Sequence, residues 1–228
     1  MKHIGIVGVT AEGASLCYKT ICEEATKLLG QYIHPEISLH NHSFSRIFEA
    51  QNKGDWKTVA ALLLDSITKL HASGAEFAII PANSVHYCFE EIREKSPIPL
   101  LSIVEITVKE CKKQNYKKVG VLGTVLTMKN GLYKEPLESQ GIEYIVPNQN
   151  EQSIINKIIF DEIITNKIAN EGVAAMINVI QALKSQSCDA LILGCTEIPI
   201  IINKKNSPLP LIDTTRLLAK KALEYALK

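Results

Sequence analysis

The stretch "LILGCTEI", Leu191 to Ile198, runs from apolar residues into a thiol, a hydroxyl and a carboxylate. A cysteine at a helix start has its pKa lowered from about 8.5, which would make Cys195 a thiolate base or nucleophile near neutral pH. The alternative for a free cysteine is a small buried hydrophobe. A second stretch, "IIPANSVHYC" from Ile79 to Cys88, ends a similar apolar run in Ala82-Asn83-Ser84, with a methyl group where the other has the thiol. Thr10 and Thr124 close two further apolar runs. Asn83, Ser84, Thr10, Thr124 and Thr196, together with exposed N–H groups of helix starts, would cradle a small carboxylate. For Ser84 and Thr196 the competing role is a plain helix cap.

Other chemistry-bearing residues are weaker. His86 falls in the first turn after its apolar run and would contact a ligand or serve as a hydrogen-bonded structural histidine. His40 and His42 share one strand face without a third ligand, so no metal is expected. "GVTAEGAS" has neither GxGxxG nor the Walker lysine, which argues against a nucleotide. Cys17, Cys22, Cys88 and Cys111 lie in helical patterns and read as packing residues.

The elements that must hold these groups alternate along the chain. Strands are expected at 3–9, 36–40, 76–81, 99–103, 118–123, 143–146, 189–194 and 209–212, with helical patterns at 56–72 and 172–186 among those between them. In the first of these helices Val59, Leu62, Leu63, Ile67 and Leu70 form an apolar stripe. Near-continuous apolar strands separated by helices predict parallel sheets covered on both faces, an α/β fold.

The chain also repeats itself. "GAEFAIIPANS" at 74–84 matches "SCDALILGCTE" at 187–197, "SPIPLLSIV" at 96–104 matches "SPLPLIDTT" at 207–215, and "IGIVG" at 4–8 matches "VGVLG" at 119–123. The offsets of 113, 111 and 115 are nearly one value. They predict two similar Rossmann-like or flavodoxin-like lobes, residues 1–97 with 209–228 and residues 98–208. Ligands of such sheets bind beyond the carboxyl ends of the strands. Two lobes related by an approximate two-fold would bring those ends to a common cleft.

Bulk properties exclude several classes. The 228 residues suffice for a sizeable core, and 25 basic against 24 acidic residues leave a charge of +1, so no nucleic-acid partner is expected. No apolar run approaches the roughly 20 residues of a membrane span, and the N-terminus reads as strand and turn. Six cysteines without secretion signal or CxxC spacing fit free thiols in a reducing, cytoplasmic setting.

With these motifs in view, the chain resembles the aspartate/glutamate racemase superfamily, in particular its aspartate racemase branch. "IGIVG", "GDWKTVAALLLDSITKL", "GAEFAIIPANSVH", "IPLLSIVE", "KKVGVLGTVLTM", "IIFDEI" and "ALILGCTEIPIII" with "PLIDTT" follow the family order over nearly the whole length. The resemblance implies racemisation of a small-molecule amino acid without cofactor (no pyridoxal phosphate), by two facing cysteines that remove and deliver the α-proton. It also implies a homodimer. Cys195 matches the second cysteine, and the first falls on Ala82. Asn83, Ser84, Thr124 and Thr196 match positions that hold the α-carboxylate, with Ser84 in place of the commoner threonine, and Thr127 matches a nearby threonine. Arg46 in "FSRIF" and Lys167 in "ITNKI" match basic residues facing the side-chain carboxylate; solvated surface charge is the alternative for both. The family's Gly-Gly-Met opening is here Gly8-Val9-Thr10.

Three functions are open. One is a racemase-like isomerase of aspartate or glutamate with Cys195 as acid–base residue, slow or enantiomer-biased because Ala82 cannot relay a proton, so that water, Ser84 or Thr10 must substitute. The second is a one-cysteine decarboxylase of the arylmalonate type, in which loss of CO₂ makes the carbanion. The third is a catalytically silent dicarboxylate-binding protein.

Overall fold

Asp55 illustrates how local chemistry starts an element in this chain. Its carboxylate accepts from the Thr58 N–H (3.0 Å) and hydroxyl (2.6 Å), and the helix it caps then buries Val59, Leu62, Leu63, Ile67 and Leu70. The computed structural model describes residues 1–129 and 131–228. Along the chain run β1 (Ile4–Gly8), α1 (Ala11–Leu29), β2 (Ile37–Asn41), α2 (Phe44–Asn52), α3 (Trp56–Ala72), β3 (Phe77–Ile79), α4 (Phe89–Lys95) and β4 (Leu100–Leu101). Next come α5 (Ile103–Lys113), β5 (Lys118–Leu122), α6 (Val125–Lys129), α7 (Lys134–Glu138), β6 (Glu143–Ile145) and α8 (Gln149–Lys157). The chain ends with α9 (Asn170–Ser185), β7 (Ala190–Leu193), β8 (Leu211–Asp213) and α10 (Thr214–Ala226).

The strands form two four-stranded sheets of the same order, β2-β1-β3-β4 and β6-β5-β7-β8, and every pairing is parallel. β1, β3 and β7 are buried along their whole length, as strands covered on both faces must be. In each sheet the strand order reverses at the third strand, so the switch points lie between β1 and β3 and between β5 and β7. Register there is Ile6 to Ile79 in one sheet and Leu122 to Leu193 in the other. Apolar clusters pack against the sheets, among them one with Val7, Leu63, Ile67 and Ile80 and one with Leu122, Ile180, Leu193 and Ile198.

All eight expected strands form, several of them shorter than expected. The division into lobes differs from the expected one. One unit is Met1–Ile106 with Thr215–Lys228, the other Thr107–Thr214. Leu100 pairs with Ala78 and Leu211 with Leu191, so each lobe keeps its own fourth strand and the chain changes lobe only in the helix after it. Pro97 and Pro208 are therefore turn residues rather than lobe boundaries. Their two "SP" turns fold alike, the Ser96 hydroxyl donating to Ile98 O (2.5 Å) and the Ser207 hydroxyl to Leu209 O (2.8 Å).

All six cysteines are free thiols. Among the described residues no helix is long and apolar enough to cross a membrane.

Candidate active site

In the second lobe, β5 and β7 end in glycines packed against one threonine. The Gly194 N–H donates to Leu122 O (2.6 Å). A Cβ on Gly123 would lie 2.9 Å from Gly194 O, and one on Gly194 would lie 3.0 Å from Leu122 O and 3.1 Å from Thr127 Cγ2. Thr127 is 1% exposed, and its Oγ1 lies 3.4 Å from that of Thr124. Asn156 Oδ1 accepts from the Val125 N–H (3.0 Å), fixing the start of α6.

Beyond β7, Cys195 and Glu197 are 7% and 3% exposed. The Cys195 thiol donates to Glu197 Oε2 (2.9 Å), and the Thr196 hydroxyl donates to the same oxygen (2.7 Å). Oε1 of that carboxylate is buried, with no hydrogen-bond partner among the described residues. Burial first, then the Glu197 charge and its hydrogen bond, push the thiol pKa well above its ordinary value. This overturns the expectation of a thiol lowered by a helix start. The helix after Cys195 is only a 3₁₀ turn, Ile198–Ile200, and a carboxylate stands beside the sulfur. At rest the group is S–H, a proton donor that becomes a base only if Glu197 or solvent takes its proton. Glu197→Gln removes the charge while burial persists, so alkylation of Cys195 by iodoacetamide, tracked by peptide mapping, should rise at lower pH in the variant than in the wild type.

In the first lobe the corresponding turn carries Ala82, Asn83 and Ser84. The Ala82 N–H donates to Ile80 O (2.8 Å), which ends β3 before the expected residue 81. Ser84 Oγ accepts from Gln51 Nε2 (2.9 Å), and Thr10 Oγ1 accepts from the Gly13 N–H (3.1 Å), capping α1. Acceptor bonds leave each hydroxyl hydrogen able to donate. Asn83 is buried in the same turn.

His86 is structural. Its Nδ1–H donates to Ala82 O (2.8 Å), Nε2 accepts from the Ile103 N–H (3.3 Å), and the ring stacks on Phe89. Burial drops its pKa from 6.5 to about 4, so the ring is neutral in the fold. The unfolded chain then binds the proton first as pH falls. His86 therefore contributes stability that is complete above 6.5 and lost as pH falls towards about 4. Denaturant titrations should show the wild type losing about 3 kcal/mol more than His86→Gln over that interval.

Arg46 lies exposed on α2, with Nη1 3.5 Å from His42 Nδ1. Lys167 lies exposed in the segment before α9. His40 Nδ1 meets the Ser66 hydroxyl (2.9 Å) and His42 Nε2 lies 2.8 Å from Asp65 Oδ2, so α3 engages both imidazoles. Among the described residues no three His, Cys, Asp or Glu side chains form a metal-binding group. Each switch point thus gathers its own set: Thr10, Ala82, Asn83 and Ser84 in one, Thr124, Thr127, Cys195 and Thr196 in the other.

Two residues escape a reading of the sequence. Glu197 is signalled only by a carboxylate two positions after the thiol. Gln51 is signalled by a polar residue sharing the buried Ile47, Ala50, Gln51 stripe of α2.

Two doubly wound lobes with polar groups at both switch points form an α/β architecture whose ligands bind beyond the carboxyl ends of the strands. Residues 6–222 match the family model described as Asp/Glu/Hydantoin racemase, and the chain belongs to that family. It is 30% identical over 173 residues to the broad specificity amino-acid racemase RacX of Bacillus subtilis (strain 168), covering 76% of this chain and 74% of that one. A crystal structure of a candidate Asp/Glu racemase from Yersinia pestis superposes with a TM-score of 0.92 at 34% identity, covering 100% of both chains. An aspartate racemase homologue from Pyrococcus horikoshii OT3 does so with a TM-score of 0.87 at 30% identity, again covering 100% of both.

Proposed function

We propose that the chain is a cofactor-independent, racemase-like isomerase of aspartate or glutamate that transfers the α-proton through Cys195. The supporting observation is the buried S–H held with the Thr196 hydroxyl on Glu197, at the switch point that also carries the Thr124 and Thr127 pair, with Ala82 at the matching position of the other lobe. Asn83, Ser84 and the threonines hold the α-carboxylate and stabilise the negative charge that develops on it as the α-proton leaves. Arg46 and Lys167 receive the side-chain carboxylate.

Proton removal runs as a relay. Glu197 takes the thiol proton, the sulfur takes the α-proton, and the pair as a whole carries one negative charge before the transfer. The pair thereby never holds the two negative charges that burial would penalise, and it is neutral once the sulfur has taken the α-proton, the charge having passed to the substrate. Return of a proton from the same sulfur regenerates the starting enantiomer. The mirror image requires a donor on the opposite face, where position 82 offers only a methyl group and water, Ser84 or Thr10 must serve.

The test is α-proton exchange in D₂O, monitored by NMR, for both enantiomers of aspartate and glutamate. Exchange of one enantiomer faster than appearance of its mirror image is the expected result. Absence of exchange with all four would refute this reading. A single thiol also suffices for decarboxylation, so release of CO₂ from an arylmalonate by the same preparation would assign that chemistry instead.

A further inference from the structure

Lys167 sits in a short excursion between a π-type turn, Ile158–Ile163, and α9. Such turns insert one residue into a helix and often mark functional segments. Here the turn ends in the Ile164 N–H bonding Ile159 O (3.0 Å), and Asn166 then takes a left-handed conformation (φ 55°) that reverses the chain. Glu162 holds the excursion at two points. Its carbonyl accepts from the Lys167 N–H (2.8 Å), and its carboxylate Oε2 accepts from the Ala169 N–H (3.1 Å).

Ala169 is the cap of α9 and makes no side-chain cap bond of its own, so the Glu162 carboxylate substitutes for one from outside the helix. The positive end of the helix favours that carboxylate. Gly172, in the first turn, is what admits it. A Cβ at that position would collide with Glu162 Oε2 and lie 2.7 Å from Oε1. With the carboxylate committed to α9, no ion pair occupies the Lys167 ammonium among the described residues.

We propose that Glu162 is a positioning residue for substrate specificity, pinning the 164–168 excursion through Lys167 N–H and Ala169 N–H so that the Lys167 ammonium is presented, unpaired, to the substrate's side-chain carboxylate. This rests on the racemase-like reading above. It extends that reading by naming the group that acts through Lys167 rather than on the substrate.

Gly172→Ala tests it. Gly172 lies inside a helix, where alanine is the better helix former, so the conflict introduced is with the Glu162 carboxylate rather than with the helix. Exchange kinetics are measured with whichever of aspartate and glutamate the wild type exchanges faster, for wild type, Gly172→Ala, Glu162→Gln, Lys167→Met and the Gly172→Ala/Lys167→Met double variant. Gly172→Ala should raise KM about tenfold, the worth of one charge-assisted contact, with kcat within about twofold. Glu162→Gln, which keeps an acceptor oxygen, should recover most of the wild-type KM. In the Lys167→Met background Gly172→Ala should add nothing, because residues acting through one contact are not additive. An unchanged KM in Gly172→Ala, an equal loss in kcat, or full additivity with Lys167→Met would each overturn the proposal. Failure of the parent reading shows separately, as absence of exchange in the wild type.

Discussion

Cys195→Ser is expected to lower α-proton exchange by about 10²–10⁴-fold, the usual contribution of one general acid–base group. The variant is close to isosteric, and a serine hydroxyl can keep the hydrogen bond to Glu197 that the thiol makes at 2.9 Å. What it loses is acidity, since a hydroxyl is a far weaker acid than even a thiol whose pKa is raised. The loss should therefore fall on kcat, with KM for the exchanged amino acid little altered because the substitution leaves the proposed carboxylate-holding groups untouched. NMR exchange with wild type and variant side by side decides it. A variant exchanging within about threefold of wild type would show that some other group carries the proton, contrary to the usual worth of such a group.

Ala82→Cys is expected to act in the opposite direction. Ala82 is buried, and its backbone is held by the His86 Nδ1–H on its carbonyl and by its own N–H on Ile80 O, so a new sulfur would project from a fixed position. The residue two positions on is Ser84 rather than a carboxylate, so no charge comparable to Glu197 would raise the new thiol's pKa. Appearance of the mirror-image amino acid should increase by about 10²-fold or more, approaching the exchange rate of the faster enantiomer. Chiral chromatography of timed samples measures this directly. If the mirror-image rate stays at the wild-type value while exchange persists, position 82 does not serve the second face.

These two substitutions probe positions that are legible in the sequence to different degrees. The alternation of apolar runs and amphipathic stretches is enough for all eight strands and for α3, because Asp55 caps that helix and its stripe has helical period. Internal repetition locates the equivalent positions 82 and 195, each just beyond a third strand. Repetition does not say which sheet a strand joins, however. Pro97 and Pro208 resemble boundaries and so send β4 and β8 to the wrong lobes, while membership is decided by pairing of Leu100 with Ala78 and Leu211 with Leu191. The acidity of Cys195 is misleading for a similar reason. "CTE" leading into an apolar run looks like a helix start that lowers a thiol pKa, whereas the folded chain makes only a short 3₁₀ turn and brings Glu197 onto the sulfur. For His86 the choice between ligand contact and support is decided only by the partners of its two ring nitrogens.

The first lobe is not a continuous piece of chain. It requires α10, whose Tyr225 ring packs edge-on against Phe77 (4.7 Å) and whose Ala226 carbonyl accepts from the Lys2 N–H (2.8 Å). The second lobe, Thr107–Thr214, is continuous. On a ribosome adding residues from the N-terminus, the lobe begun first is consequently finished last. Its sheet must wait for α10 while the later lobe can already close, which places the chain's vulnerability to misassociation and proteolysis in the interval before α10 emerges.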